Sequence, residues 1–452
     1  MKLLQTDVAR IILIICLTFH LNAESFYVDN ARAGNGDGTS WASAWNSIGN
    51  INWAAVNPGD VIFISGGTNS KTYSGSVSLN STTGSGTAAS PIVIRNATDV
   101  GHNGSVIIDG GSSRGINLNG ANYLTIRGLE FRNASGSGGG IIIDRAQGVV
   151  VDSCSFYITS HGGVFVQRSS GCTISNNTLT TPANTGTQTD GIYSQRNNSN
   201  TYDGNHIVIS NQAITPHCDG IQMFLDRDMV VRNNYIEQNN DKTYNAQGIY
   251  STNCSGTIEV YNNVIYGPNT WNSLLTVSII SEGDARLVAY HNTFIGGGWG
   301  TIAVEQAPHS IVKNNILVNF KNGGWLIKLN GALSSLQNLD YNIYYAPNSG
   351  IVTTYNEAGR SWSQWQGLGY DQNGMNTDPK IQDAGARDFT LQETASIIDR
   401  GTPLDARYNL DRNNVPRPQN AGWDPGAYEF SNNQSTDTTP PQAPQNLRIG
   451  AN

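Results

Sequence analysis

The chain is predicted to fold as an all-β, single-stranded right-handed parallel β-helix with an N-terminal cap and a loop-rich C-terminal segment. Three observations predict it. A motif of an apolar-x-apolar pair, then Asn-Asn or a similar polar pair, then another apolar residue recurs every 22 to 35 residues. A second strand-like motif that opens on glycine falls between most copies. The 452-residue chain carries 50 glycines, and only 13% of it is charged, which suits short strands and tight turns better than salt-bridged helices. This length could hold two or three ordinary domains, but one unbroken repeat favours a single solenoid.

The N-terminus has Lys2 and Arg10, the apolar run Ile11 to Phe19, then Leu21-Asn22-Ala23. That order reads as a secretory signal peptide over residues 1–23, cleaved after Ala23. Bulky Ile15 before Cys16 is unlike a lipoprotein signal. No other apolar stretch is long enough to span a bilayer, so no membrane association is expected. The mature protein is expected outside the cell or in the periplasm. Four cysteines then remain, Cys154, Cys172, Cys218 and Cys254. Export permits disulfides, and interior stacking of free thiols fits equally well.

Residues 24–120 read as the cap and first coils, and 121–345 as the core of the solenoid. The core copies are LTIRGLEF, VVVDSCSF, CTISNNTL, IVISNQAI, MVVRNNYI, IEVYNNVI, LVAYHNTF, SIVKNNIL and NLDYNIYY. They are anchored on Ile126, Val151, Ile174, Ile209, Val231, Val260, Ala289, Val312 and Leu339. The segments are too short and too β-branched for helical repeats. Asparagines at one place in successive coils can stack as an amide ladder, a structural role.

The second strand reads GIIIDR, GVFVQR, GIYSQR, GIQMFL and GIYSTN, then blurs into TVSIIS and TIAVEQ. With Ile192, Ile221 and Ile249 inward, alternation turns Tyr193, Gln222 and Tyr250 outward as a polar-aromatic strip. The residues before the glycines form another column: Gly162, Asp190, Asp219 and Gln247. His161 and His217 lie at the same edge. A coil spacing of about 4.8 Å would bring the Asp190 and Asp219 carboxylates close together on one outer wall.

Paired carboxylates suit glycoside hydrolysis, which needs one protonated acid and one ionised base or nucleophile, and mutual repulsion would separate their proton affinities. On this reading Asp190 and Asp219 are catalytic and His217 holds or relays a proton. Tyr193, Gln222, Tyr250, Gln247 and His161 would bind sugar hydroxyls. An Asp before Gly can instead simply close a turn. A third reading places Ca²⁺ on Asp190 and Asp219, with oxygens such as that of Gln247, to neutralise a uronate before proton abstraction. The basic candidates are Arg145, Arg168 and Arg196, in one column after the second strand, and Lys242 in NNDKTYN. Guanidinium groups suit carboxylates through a bidentate fork, and a solvated ladder at the turn edge is the plainer explanation. Glu282, Asp284 and Glu305 fall on later coils as rim contacts.

Residues 346–430 hold Trp362, Trp365, Trp423 and scattered prolines, which suggests a loop-rich segment packed along or over the last coil. Residues 431–452 form a polar, Pro-rich linker. A net charge of -8 without any basic run argues against nucleic acid as a partner.

The NNxI repeats, the opening FYVDNARAGNGDGTSWASAW and the segment VNPGDVIFISGG resemble bacterial proteins of the pectate-lyase-like superfamily. The resemblance spans about residues 25 to 430. The segments NTDPKIQDAGARDFTLQE, IIDRGTP and WDPGAYEF are similar to the C-terminal end of many such secreted proteins. That superfamily holds polysaccharide lyases, polygalacturonase-type hydrolases, epimerases and phage depolymerases, so it implies a polysaccharide partner and leaves the reaction open. TDGIY and CDGIQ resemble the Asp-bearing strand of the polygalacturonase-type hydrolases, which implies catalytic roles for Asp190 and Asp219. The adjacent Asp-Asp pair, Gly-His-Gly and Arg-Ile-Lys motifs of that family are missing, which speaks against polygalacturonase itself. PPQAPQNLRI resembles the first strand of a fibronectin type III module. The sequence thus predicts a monomeric secreted enzyme that cleaves a polysaccharide, with hydrolysis favoured. The alternatives are a calcium-assisted lyase and a non-catalytic, glycan-binding or adhesive solenoid.

Overall fold

The structure is a computed structural model. It describes residues 23–134, 139–157, 161–181, 189–210, 218–238, 247–267, 277–296, 298–305, 307, 309–330, 338–350, 352–356 and 358–431. All but the last residue of the expected export signal and all but the first residue of the expected linker lie outside the described residues.

Each coil lays one strand into each of three sheets, and each sheet has twelve strands among the described residues. Sheet 1 runs from Ser25–Val28 to Asn338–Asp340, sheet 2 from Ser70–Ser74 to Met375–Asn376, and sheet 3 from Val77–Asn80 to Ala358–Arg360. Within these sheets neighbouring strands pair in parallel until the last pair of sheet 3, where Ala358–Arg360 folds back antiparallel on Thr353–Tyr355. The coil is right-handed, as parallel crossovers of twisted strands are. No described helix is long and apolar enough to cross a membrane.

Alternation makes the coil. In Leu124–Arg127 the residues read buried, half-buried, buried, exposed, so Leu124 and Ile126 enter the core. Successive coils stack like on like, and the Phe131 and Phe156 rings lie 4.9 Å apart and nearly parallel. All four described cysteines are buried free thiols.

The register corrects one repeat. Ile174 pairs with Tyr202, and Tyr202 with Val231, so the sheet 1 strand of that coil is Thr201–Asp203. Ile209 belongs instead to the sheet 2 strand His206–Ile209. The apparent spacings of 35 and 22 residues become 28 and 29. TYDGNHI departs from the repeat because it puts a tyrosine in the core and Asp-Gly at the corner, where its neighbours have a β-branched residue and Asn or Ser.

Between sheets 1 and 2, residues such as Asn176, Asn233, Asn262 and Asn314 take positive φ, where asparagine costs little. The next residue in each coil builds the expected ladder. The backbone N–H of Asn205 donates to Asn234 Oδ1 at 2.9 Å, and its own side-chain amide donates to the same oxygen at 2.9 Å. The pattern repeats through Asn234, Asn263, Asn292, Asn315 and Asn342. It ends on Asp371, whose Oδ2 also receives Tyr344 O–H at 2.5 Å and Trp365 Nε1–H at 3.1 Å.

The C-terminal segment covers more than the last coil. Phe389, Leu391, Ile397 and Ala427 pack against Tyr235, Val264, Ile295, Ile316 and Ile343 on the outside of sheet 2. Arg387 clamps Glu237 with two hydrogen bonds, at 2.9 and 2.7 Å. Arg417 and Glu429 form a fully buried ion pair at 2.8 Å. His206, under this cover, has its pKa pushed down to about 4 by burial. The later strands of sheet 2, from Tyr235–Gln238 onward, are therefore covered, while sheet 3 keeps partly exposed outward side chains.

Candidate functional site

Long connections enter one edge of sheet 3. Eleven residues separate Ile209 from Ile221 and ten separate Gln238 from Ile249, whereas two separate Asp152 from Ser155 between sheets 1 and 2. In solenoids such insertions sit where variation does not disturb the stack, beside a repeated face.

That face has two outward columns. The first is Phe165, Tyr193, Gln222 and Tyr250, paired rung by rung as alternation predicts. Phe165 and Tyr193 meet edge to face with centroids 4.9 Å apart. The second is Asp144, Gln167, Gln195, Phe224, Thr252, Glu282 and Glu305. Burial and the nearby Asp190 charge raise the Tyr193 pKa. Burial and the neighbouring Glu282 charge push that of Tyr250 up to about 12, so both phenols stay protonated.

Asp190 and Asp219 align on neighbouring rungs as expected, but they are not on the outer wall. Both side chains are fully buried. Asp190 Oδ1 accepts the backbone N–H of Asp219 at 2.8 Å, and Asp219 Oδ1 accepts that of Gln247 at 2.9 Å. The physical reason is the strand period itself. Asp190 stands two residues before Ile192, and Asp219 two before Ile221, so both share the inward face. The catalytic and calcium expectations both required open carboxylates. One oxygen of each is committed to backbone, and among the described residues no group of three or more His, Cys, Asp or Glu side chains converges as a metal would require. The pair is thus not the open, outward carboxylate site that the calcium expectation placed there.

Gln247, expected at the substrate, is also buried; its Oε1 has no hydrogen-bond partner among the described residues. Gln222 sits in the strip but is mostly covered, at 8% exposed. His161 contributes backbone to the strand His161–Gln167, and its side chain lies outside the described residues, as do His217 and Lys242 entirely.

The arginine column is real. Arg145, Arg168 and Arg196 all take φ between 50 and 55° at the turn from sheet 3 to sheet 1. Arg168 grips Asp144 through Nε at 2.9 Å and a terminal nitrogen at 2.7 Å. Arg145 reaches the same carboxylate at 3.0 Å. Arg196 is exposed and makes no ion pair among the described residues.

Two carboxylates that do face outward lie further along the strip. Glu282 and Glu305 occupy adjacent rungs, both half-buried. Tyr250 O–H donates to Glu282 Oε2 at 3.0 Å, and Thr252 O–H to the same oxygen at 3.3 Å. Lys328, one coil on, pairs with Glu305 at 2.9 Å. Glu282 thus has neutral hydroxyl donors and Glu305 a cation, an asymmetry that suits two carboxylates to different tasks. The sequence places both as rim contacts because TVSIIS and TIAVEQ lack the opening glycine that marks the earlier strands. The usable signal is parity: in TVSIISE and TIAVE the glutamate stands three residues after the core isoleucine, on the outward face.

These features define a β-solenoid with the later strands of one sheet covered by its own C-terminus and another sheet left as an open strip. The chain belongs to the right-handed beta helix region family, whose model matches residues 35–208 and 114–273, together more than half of the chain. Two solved structures are similar over nearly their whole length. Pectate lyase Pel9A aligns at 16% identity over 91% of this chain and 98% of its own, with a TM-score of 0.50. XylC, solved in complex with xylose, aligns at 9% identity over 89% of this chain and 98% of its own, also with a TM-score of 0.50. At such identities the likeness is one of fold. No curated protein sequence matches the chain.

Proposed function

We propose that this protein is a secreted, monomeric enzyme that cleaves a polysaccharide lying along the outer face of sheet 3, and that the cleavage is hydrolytic. The observation that carries this reading is the outward pair Glu282 and Glu305 at the end of a polar-aromatic strip. A rung spacing of about 4.8 Å is close to the separation of about 5–5.5 Å between the carboxyl groups of retaining glycosidases. One carboxyl group would protonate the leaving glycosidic oxygen as the C1–O bond breaks, and the other would take up C1. Water, deprotonated by the first, then releases the sugar. Tyr193 and Tyr250, two rungs apart, offer ring faces to sugars along the strip, and Tyr193 offers its phenolic hydroxyl as well. The similarity of fold to pectate lyase Pel9A and to xylose-bound XylC is in keeping with a carbohydrate ligand.

Lys328 beside Glu305 is the one observation that favours β-elimination, since it puts a basic side chain on the same face. Digestion of a panel of plant, algal and bacterial polysaccharides tests both. Hydrolysis gives new reducing ends without ultraviolet absorbance, and β-elimination gives an absorbing unsaturated product. Glu282→Gln and Glu305→Gln should each lower kcat by about 10²–10⁴-fold. Full activity in both variants would remove the proposed pair, and binding without any product would leave a glycan-binding solenoid.

A further inference from the structure

We propose that the strip selects acidic glycans, with Arg196 taking the carboxylate of a uronic-acid residue about three sugar units from the bond cleaved at Glu282 and Glu305. This rests on the reading of sheet 3 as a glycan-binding strip.

The protein displays the required geometry one coil earlier. Arg168 reaches back to the outward Asp144 of the preceding rung and holds it with a bidentate fork, the strongest arrangement for a guanidinium and a carboxylate. Arg196 stands at the same place in the next coil, at the same positive φ, with its backbone N–H donating to Phe224 O at 2.9 Å as that of Arg168 donates to Gln195 O at 2.9 Å. The residue it would meet by the same reach is Gln167, because Gln167 pairs with Asp144 in the outward column. A neutral amide stands where Arg168 finds a carboxylate. The segments 158–160, 182–188 and 211–217, which precede the surrounding sheet 3 strands, contain no Asp or Glu to serve instead. Arg196 is exposed, and its charge reaches Tyr193 in the outward strip. A ligand carboxylate can therefore meet the exposed Arg196 guanidinium at its own rung, where no carboxylate among the described residues pairs with it.

The register sets the distance to the cleavage point. Gln195, beside Arg196, is followed in its column by Phe224, Thr252 and Glu282. Three rungs at about 4.8 Å make roughly 14 Å. A pyranose in an extended chain advances by close to one rung, so a glycan running along the solenoid axis would place about one sugar on each coil. The Glu282 and Glu305 end carries two carboxylates against one lysine, so an anionic sugar is better held at the Arg196 end than there.

The test uses the full chain with polygalacturonate, alginate and glucuronoxylan, each beside its carboxyl-reduced form, at about 0.15 M salt so that diffuse attraction is screened. Binding is read by affinity electrophoresis and cleavage by product release. The wild type should prefer at least one acidic polymer over its reduced form by about 10-fold or more. In Arg196→Gln that preference should collapse toward one. Gln167→Glu keeps the arginine but supplies a protein carboxylate to it, and should collapse the preference equally. Arg168→Gln, which removes the same charge from a residue already held by Asp144, should keep it. Equal loss in Arg168→Gln, an undiminished preference in Arg196→Gln, or a wild type indifferent to reduction would each overturn the assignment while leaving the strip as a glycan site. A wild type that neither binds nor cleaves any polymer would instead overturn the strip itself, and the assignment with it.

Discussion

Asp190 Oδ1 accepts the backbone N–H of Asp219 at 2.8 Å, which makes a carboxylate the rivet between two coils. An asparagine keeps that acceptor and a glutamine at most shifts it. Asp190→Asn and Asp219→Asn should therefore retain cleavage within about 3-fold. Asp219→Ala leaves the buried N–H of Gln247 unanswered, and should cost about 1–3 kcal/mol in denaturant unfolding. Loss of turnover in the asparagine variants, with folding intact, would restore these carboxylates to the reacting groups.

Tyr250 holds Glu282 through its hydroxyl. Tyr250→Phe keeps the ring and the strip, and Thr252 still reaches the carboxylate at 3.3 Å. Turnover should fall about 10-fold with KM little changed, and stability by no more than about 1 kcal/mol, since the hydrogen bond removed is partly exposed. Steady-state kinetics on the preferred polymer separates these effects.

Inside the solenoid, Asp226 is fully enclosed and bonded to Ser194 Oγ at 2.5 Å and to the backbone N–H of Asn197 at 2.7 Å. Burial pushes its pKa up to about 7 from 3.8. The folded state then holds this proton more tightly than the unfolded chain. Stability from this group is greatest below about pH 4 and is lost as pH rises toward 7. Asp226→Asn, which places in this coil the residue found at Asn197 in the coil before, should remove that slope. It should raise stability at pH 8 by about 1–4 kcal/mol, measured by thermal unfolding across pH.

The C-terminal wrapping depends on Arg417 being neutralised. Glu429→Gln removes the one carboxylate that is hydrogen-bonded to a guanidinium sealed away from water, leaving the Asp411 and Asp424 charges nearby. It should destabilise by about 3–5 kcal/mol. Limited proteolysis should then release the segment after Asn376 before the coils unfold, and simultaneous loss of both would show that segment and solenoid melt as one.

Most of the stack was legible because apolar spacing and corner asparagines repeat with every turn. Tyr202 escaped because an aromatic side chain replaced the usual branched one. The strip was legible from alternation around Ile192, Ile221 and Ile249. The same alternation, carried two residues further back, sends Asp190 and Asp219 indoors. Their neighbouring rungs suggest a site, and their parity places both side chains in the core. Glu282 and Glu305 are harder to find, because no glycine stands directly before the core isoleucine of their strands and register with Thr252 gives their direction. Arg196 looked like one of three equal arginines until Asp144 was seen to engage two of them.

The amide ladder closes on Asp371, which can accept but cannot donate onward, and the neighbouring edge of sheet 3 is capped by the reversed strand Ala358–Arg360. A second molecule arriving end to end meets no continuing row of side-chain amides, and over sheet 3 it finds a strand running the wrong way for another parallel coil. A motif that could repeat without limit is closed at this end, over sheet 3 and along the amide row.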